Sequence, residues 1–467
     1  MNIENRETLL VGEESALRAD AIGIVEAALS AVEPDRLLEG RVERSDGTVR
    51  IDDRTYDLET AGEIFIIGAG KGAGALTAAV LDRLGGNVSE STVVEKDAST
   101  IDPGELRTVD GLTVLEAGHP IPTRASREAA DRVLELADRA GPDDLVICCV
   151  TGGASALLAA PDGVDPEAMA ETTDALLRAG APIEEINAVR KHLSKIKGGR
   201  LAERFAPAET VALIVVDEVA GEPWGPTAPD STTYADALDV LNRHGLTESL
   251  SVAVVDRLQR GADGEYPETL DHDAIGELPV ENVVLADASA VCRPAAEAAR
   301  ERGYDPLFLS ARLEGEASEV GLVHAGIATD VVEAERPVAP PMALVTGGET
   351  TVTVAEEPGD GGPNQETALG FAVGIDGWDG IVGAFVGTDG TDGPTDLAGA
   401  IATGQTRRRA KAAGVPIGAA LDRNDAARTV TELGDAIVTG ATETNLMDLR
   451  VVLVGESGAR PGRSDEG

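Results

Sequence analysis

Ten residues, Gly387-Thr388-Asp389-Gly390-Thr391-Asp392-Gly393-Pro394-Thr395-Asp396, hold the densest chemistry in the chain. Hydroxyls, carboxylates and glycine-exposed amides alternate there, a donor set suited to a hard cation and to phosphate oxygens. Every one of these residue types also forms turns. A doubled Gly-Thr-Asp directly after the apolar run Ile381–Val386 favours a phosphate or metal loop over a solvated turn. Asp389 and Asp392 are the carboxylates such a loop would offer to Mg²⁺, and Asp389 could also orient an attacking hydroxyl.

A second loop, Gly68-Ala69-Gly70-Lys71-Gly72-Ala73-Gly74, follows the apolar run Glu63–Ile67. Gly68-x-Gly70-x-x-Ala73 fits a degenerate dinucleotide fingerprint, and Glu95 or Asp97 stands about where a ribose contact belongs. Lys71 inside the turn points elsewhere. It precedes Gly72 instead of Ser or Thr, so this is no Walker A loop. Held among glycines at a helix start, Lys71 adds its charge to backbone donors and helix dipole, and meets an anion. Only six lysines occur in the chain, and three more of them lie in Asn187–Arg200, at Lys191, Lys195 and Lys197. On helical spacing Lys191 and Lys195 would share a face, with Arg190 and Lys197 beside it. A surface helix balancing local acid would read the same way. The scarcity of lysine elsewhere favours an anionic ligand.

The elements that must position these loops repeat as strand, glycine turn and helix, which predicts an α/β fold with a largely parallel sheet. Leu145–Val150 reads as a buried strand leading into Thr151-Gly152-Gly153-Ala154-Ser155, and Met342–Val345 leads into a similar Thr346-Gly347-Gly348. The polar stretch Arg260–Glu281 reads as a domain linker. Pro363, Asn364, Gln365 and Glu366 open an apolar helix, with Asn364 and Glu366 as caps or site residues. Five histidines show no metal-ligand spacing. Ser155 lacks a nucleophile-elbow glycine after it, which argues against a hydrolase of that type.

Composition narrows the function classes. At 467 residues the chain has room for two or three domains. A net charge of −44 opposes binding to nucleic acid or to an acidic membrane surface. The acid is spread along the whole length, and with few lysines the surface looks like that of proteins from salt-saturated cytoplasm. Three cysteines, two of them adjacent (Cys148 and Cys149), cannot make a disulfide framework. No signal-peptide pattern or membrane-length apolar run is visible, so a cytoplasmic protein is expected.

The segments Gly68–Gly74, Ala117-Gly118-His119-Pro120, Thr151–Leu158, Asn187–Leu201, Asp217–Asp230, Leu313–Ala317, Thr346–Thr350, Gly361–Glu366, Gly387–Asp396 and Thr439–Asn445 occur in one order from about residue 10 to 455. In that combination the chain closely resembles the glycerate 2-kinases whose C-terminal region is called MOFRL. The resemblance implies ATP- and Mg²⁺-dependent phosphorylation of D-glycerate at its 2-hydroxyl. It further implies two α/β domains, the first Rossmann-like, with the active site in the cleft between them. The expected division is 1–265 for the first domain and 266–416 for the second, with 417–467 returning to the first and the MOFRL region over roughly 340–455. Lys71 matches the family's suspected catalytic lysine. Gly70, Gly72, Gly152, Gly153 and Ser155 are then expected to cradle the nucleotide or its phosphates. Asn187, Arg190, Lys191 and Asn364 are expected at the substrate, and Asp389 and Asp392 at the metal. One departure stands out: many members carry an arginine where this chain has Pro363, and Arg190, Lys191 and Arg200 are the candidates to replace it. An NAD(P)-dependent hydroxypyruvate reductase, the family's older annotation, is the alternative enzyme, and a non-catalytic binding module a third reading. A homodimer is compatible with all three.

Overall fold

Ile64–Ala69 and Leu145–Val150 are buried at every position, as strands covered on both faces must be. The computed structural model describes residues 2–12, 14–96, 107–109, 112–119, 121–216 and 224–459. These fall into two compact units, one of residues 38–216 with 224–285, the other of 2–37 with 286–459.

In the first unit seven strands line up in the order Val280–Ala286, Glu209–Val215, Leu145–Val150, Ile64–Ala69, Glu90–Glu95, Leu112–Glu116, Arg107–Val109. The five from Glu209–Val215 to Leu112–Glu116 run parallel, and Arg107–Val109 closes the edge antiparallel. Numbered along the chain, those five parallel strands read 3-2-1-4-5, the doubly wound order. Strand order reverses between Ile64–Ala69 and Leu145–Val150, which pair from Ile64↔Leu145 to Ala69↔Val150. That reversal opens a crevice at their C-terminal ends, where Lys71 and Thr151–Ser155 follow. Cys148 and Cys149 are ordinary interior residues of this sheet. A separate meander, Val42–Ser45, Thr48–Ile51 and Arg54–Asp57, belongs to the same unit.

The second unit carries a six-stranded sheet in the order Asp305–Ser310, Met342–Gly348, Asp448–Ala459, Asp379–Gly387, Gly399–Thr403, Ala436–Ile437. Only its first pair is parallel. Leu369, Phe371 and Phe385 pack with Leu344 and Val452 in its core. The helices Ser15–Ala31, Ser289–Glu301, Ala317–Ala334 and Pro363–Gly374 belong to this unit.

Two boundaries differ from the expected ones. Asp448–Ala459 inserts between Met342–Gly348 and Asp379–Gly387, so the C-terminal segment stays with the second unit instead of returning to the first. The N-terminal helix Ser15–Ala31 joins it there, leaving the first unit to begin near residue 38. The stretch expected as a linker, Arg260–Glu281, is instead part of the first unit's body. It closes the helix Val252–Ala262, forms His272–Gly276 and binds back through Leu270 N–H to Gly198 O (3.0 Å) and Asp230 N–H to Leu270 O (2.8 Å).

Candidate active site

Two loops are knitted together at the crevice of the first unit. Lys71 N–H donates to Gly152 O (2.8 Å), Thr151 N–H to Ala69 O (3.0 Å), and Thr151 Oγ1 to Lys71 O (2.7 Å). The glycines permit this approach. Gly70 has φ +128°, and a Cβ there would lie 2.2 Å from Thr151 Oγ1. At Gly153 (φ +86°) a Cβ would sit 3.0 Å from His119 Cδ2 and 3.6 Å from Lys71 Cγ. Lys71, His119 and the Gly152–Gly153 backbone therefore share one small space above the sheet. Gly72 caps the helix Ala73–Leu84, whose N-terminal dipole adds to the lysine's charge. Glu95 accepts the Gly74 N–H at 2.6 Å, so its carboxylate serves that helix start instead of standing open for a ribose. Asp97, the other acid named for that role, lies outside the described residues.

The basic segment is only partly helical. Ile183–His192 forms the helix, with Asn187 half-buried and Arg190 buried. The chain then turns, because Ser194 Oγ accepts the N–H groups of Ile196 and Lys197 (3.3 Å each) and Ser194 bridges to Pro161. Lys195 thus does not continue the helical face of Lys191. Lys191 pairs with Asp230 at 2.9 Å, and the Asp230 side chain is fully buried. Burial alone would raise the Asp230 carboxyl, but the Lys191 charge and hydrogen bonds from Lys191 and Thr232 outweigh it and hold the group below its usual value. Arg190 is pushed down to about 10 by burial. Lys197 Nζ donates to Ser155 O at 2.7 Å, and burial, then the charges of Arg190 and Lys191, press it well below an ordinary lysine. Arg190, Lys191 and Lys197 lie close enough to press on one another's charge, and Asp230 answers Lys191. Arg200 is not available to it: its guanidinium donates to the carbonyls of Lys191, Ser194 and Pro267.

In the second unit the Asp/Thr loop divides into an open half and a buried half. Asp389 is half-buried and its Oδ1 accepts from Thr391 N–H (3.0 Å) and Oγ1 (3.1 Å). Asp392 is buried and anchors a helix start: Oδ1 accepts Asn364 N–H at 2.9 Å and Oδ2 accepts Gln365 N–H at 2.8 Å. Asn364 Nδ2 then bridges Asp392 Oδ1 (3.2 Å) to Asp448 Oδ1 (2.7 Å), and Asp448 Oδ2 meets Arg450 Nη2 at 2.6 Å. Pro363 occupies the first turn of this helix, where a missing N–H costs nothing. Among the described residues no group of three or more His, Cys, Asp or Glu is set to hold a metal. Mg²⁺ needs only one or two carboxylates beside substrate phosphates, and Asp389 fits that demand. Asp392, with both oxygens committed to the helix, fits it poorly.

Burial drives Asp392 up to about 7, Asp448 adding to the rise against the two backbone hydrogen bonds. Its folded pKa lies above its unfolded one, so the folded state holds the extra proton. Stability should fall as pH rises from about 4 to about 7. Urea unfolding across that window is expected to show a flatter slope for Asp392→Asn than for the wild type. An unchanged slope would mean that Asp392 titrates normally.

Several residues of the site carry little signal in the sequence. His119 follows the strand Leu112–Glu116 next to the crevice, a placement that its sequence motif does not announce. Lys197 reads in sequence as one of a basic cluster, and in the fold it is a buried lysine that donates to Ser155 O. Asp448 and Arg450 carry a legible signal, two charges at i and i+2 just before the apolar run Val451–Val454, hence on one face.

Residues 20–259 match the family model described as Domain of unknown function (DUF4147), and residues 342–448 match the MOFRL family. A glycerate 2-kinase of Pyrococcus horikoshii is 35% identical over 94% of this chain and 97% of its own. A protein of Agrobacterium vitis, provisionally named hydroxypyruvate reductase, is 39% identical over 84% of this chain and 88% of its own. The crystal structure of a glycerate kinase from Thermotoga maritima superposes with a TM-score of 0.78 at 36% identity, covering 94% of this chain and 99% of that one. Together with the doubly wound order and the Lys71 turn, these likenesses place the chain in the MOFRL-type glycerate kinase family.

Proposed function

We propose that this protein transfers the γ-phosphoryl group of ATP to the 2-hydroxyl of D-glycerate, giving 2-phosphoglycerate. The observation that supports this most is Lys71, held by main-chain bonds in a glycine turn at the crevice of a doubly wound sheet. Phosphoryl transfer asks a protein for positioning and for neutralisation of spreading negative charge. Lys71 supplies a point charge to the transferring group, and the Gly72, Gly152 and Gly153 amides, with Ser155, line its approach, while the Gly70 and Lys71 amides are spent on Val94 O and Gly152 O. Arg190 and Lys191, with Asn187 on the same helix, receive the glycerate carboxylate or the nucleotide phosphates. In the second unit Asn364 bridges the Asp392 and Asp448 carboxylates, and Asp389 orients the hydroxyl. Mg²⁺, bound through Asp389, would neutralise the nucleotide phosphates. The competing hydroxypyruvate reductase reading is weakened at Glu95, whose carboxylate accepts the Gly74 N–H at a helix start, which leaves Asp97 as its ribose contact.

Phosphorus NMR of a reaction with ATP, Mg²⁺ and D-glycerate is expected to show ADP and a 2-phosphate ester, both abolished by EDTA. Robust NAD(P)H oxidation with hydroxypyruvate in the absence of ATP would sink the kinase reading. We further propose a cytoplasm of molar salt as the setting, because with 83 acidic against 39 basic residues the excess carboxylates repel one another. At 1 M salt the Debye length is about 3 Å, against about 10 Å at 0.1 M. Melting temperature and activity should both drop on dilution to 0.1 M, and constancy across that range would remove the salt argument alone.

A further inference from the structure

Lys197 is buried, yet no carboxylate among the described residues pairs with it. Its Nζ donates instead to two carbonyls, Ser155 O at 2.7 Å and Leu158 O at 3.4 Å. Those carbonyls belong to the short helix Ala154–Leu157 and its C-terminal cap, and Gly152 and Gly153 enter the same helix from its other end. The lysine is therefore seated at the far end of the turn whose first amides line the crevice. Hydrogen bonding alone does not call for an ammonium there. A neutral amide donor would serve a carbonyl without the cost of burying a charge.

The backbone that carries Lys197 is fixed on both sides. Its own N–H and that of Ile196 bind Ser194 Oγ, and Gly198 and Gly199 follow with φ of +62° and +78°. At Gly198 a Cβ would meet Thr269 Cγ2 at 2.5 Å, so the turn admits no side chain there. Upstream of the same turn runs the helix Ile183–His192, with Asn187, Arg190 and Lys191. One side chain thus ties the glycine loop to the basic helix. The charges bearing on Lys197 are Arg190 and Lys191 from that helix, and Asp230 answers Lys191. The helix Ala154–Leu157 contributes no ionisable side chain. Burial and two like charges disfavour the ammonium, and an anion held by the glycine loop would favour it again.

We infer that Lys197 is a positioning residue for the nucleotide: its ammonium clamps the Ser155 and Leu158 carbonyls, which sets the Gly152 and Gly153 amides, and its charge backs the phosphates those amides receive. The inference rests on the nucleotide reading of that loop and deepens it. Lys71 meets the phosphates through its own turn, whereas Lys197 acts through the loop and touches no ligand. A side chain that only filled space would not couple its proton to ligand binding. A backing charge must, because whatever the anion gains from the ammonium, the ammonium gains from the anion.

Isothermal titration with ADP and Mg²⁺ at fixed salt tests this on the wild type, Lys197→Met and Lys197→Gln. Glutamine keeps an N–H donor in the same place and loses the charge, so it carries the test if Lys197→Met does not fold. ADP affinity should fall about tenfold in Lys197→Gln, the scale of one charge acting through a partly screened interior, and at least as far in Lys197→Met. Repeating the titration at pH 9 in buffers of different ionisation enthalpy counts protons. ADP is fully ionised at that pH, so proton uptake reports the protein. The wild type should take up a fraction of a proton with each ADP, and Lys197→Gln none. Undiminished affinity in Lys197→Gln, or the same proton uptake with and without the lysine, overturns the inference and leaves the nucleotide site standing. Failure of the wild type to bind ADP removes the nucleotide reading and this inference together.

Discussion

Replacing Lys71 with methionine should lower kcat by about 10²–10³ while leaving the fold intact. The magnitude is that of losing one preorganised donor aimed at developing charge. The fold survives because the loop is held by main-chain atoms. Lys71 N–H binds Gly152 O and Lys71 O accepts from Thr151 Oγ1, and neither bond involves the side chain. Methionine keeps the length of the aliphatic stem and removes only the ammonium. A contrasting substitution separates chemistry from scaffold: Gly70→Ala would push a Cβ to 2.2 Å from Thr151 Oγ1 at a φ of +128°, so it should damage both melting temperature and turnover. Steady-state kinetics with ATP and D-glycerate, beside thermal melts of both variants, decides the matter. A Lys71→Met enzyme with wild-type kcat would move the catalytic charge elsewhere, with Lys191 next to be examined.

How far the fold and this site could be read in advance depends on how local each determinant is. The interior strands Ile64–Ala69 and Leu145–Val150 were visible because a strand buried on both faces is a continuous apolar run. The glycine turns after them were visible because close loop approach demands residues without a Cβ. The end of the basic helix was not, since Ser194 captures two amides through a side chain and cuts the helical register after His192. Domain boundaries were least legible. Nothing local in Asp448–Ala459 announces that it pairs with Met342–Gly348 on one side and Asp379–Gly387 on the other. The same non-locality hid the role of Asp392. Its residue type and loop suggested a metal ligand, yet its oxygens are spent on amides of a helix that starts nearly thirty residues earlier.

Arg450 offers the sharpest test of that hidden network. It is fully buried, its Nη2 bonds Asp448 Oδ2 at 2.6 Å and Thr350 Oγ1 at 3.1 Å, and its Nε and Nη1 have no partner. Breaking a buried ion pair from one side typically costs about 3–5 kcal/mol, because the remaining charge is left uncompensated. Removing two orphaned donors returns part of that cost. Arg450→Met should therefore destabilise the protein by about 3 kcal/mol, the low end of the range. Burial already raises the Asp448 carboxyl, and the Arg450 charge is the largest influence lowering it. Without the arginine the carboxyl rises further. The folded state then holds a proton that the unfolded state releases, and the destabilisation deepens as pH climbs above the ordinary carboxylate range. Asp448→Asn in the same chain removes the stranded charge while keeping an acceptor for Asn364 Nδ2, so the double variant should be more stable than Arg450→Met alone at pH 8. Equilibrium unfolding of the wild type, both single variants and the double variant at pH 5 and pH 8 measures the coupling directly. If Arg450→Met costs under 1 kcal/mol at pH 8, or the second substitution restores nothing, charge pairing is not what fixes Asn364 between the two aspartates.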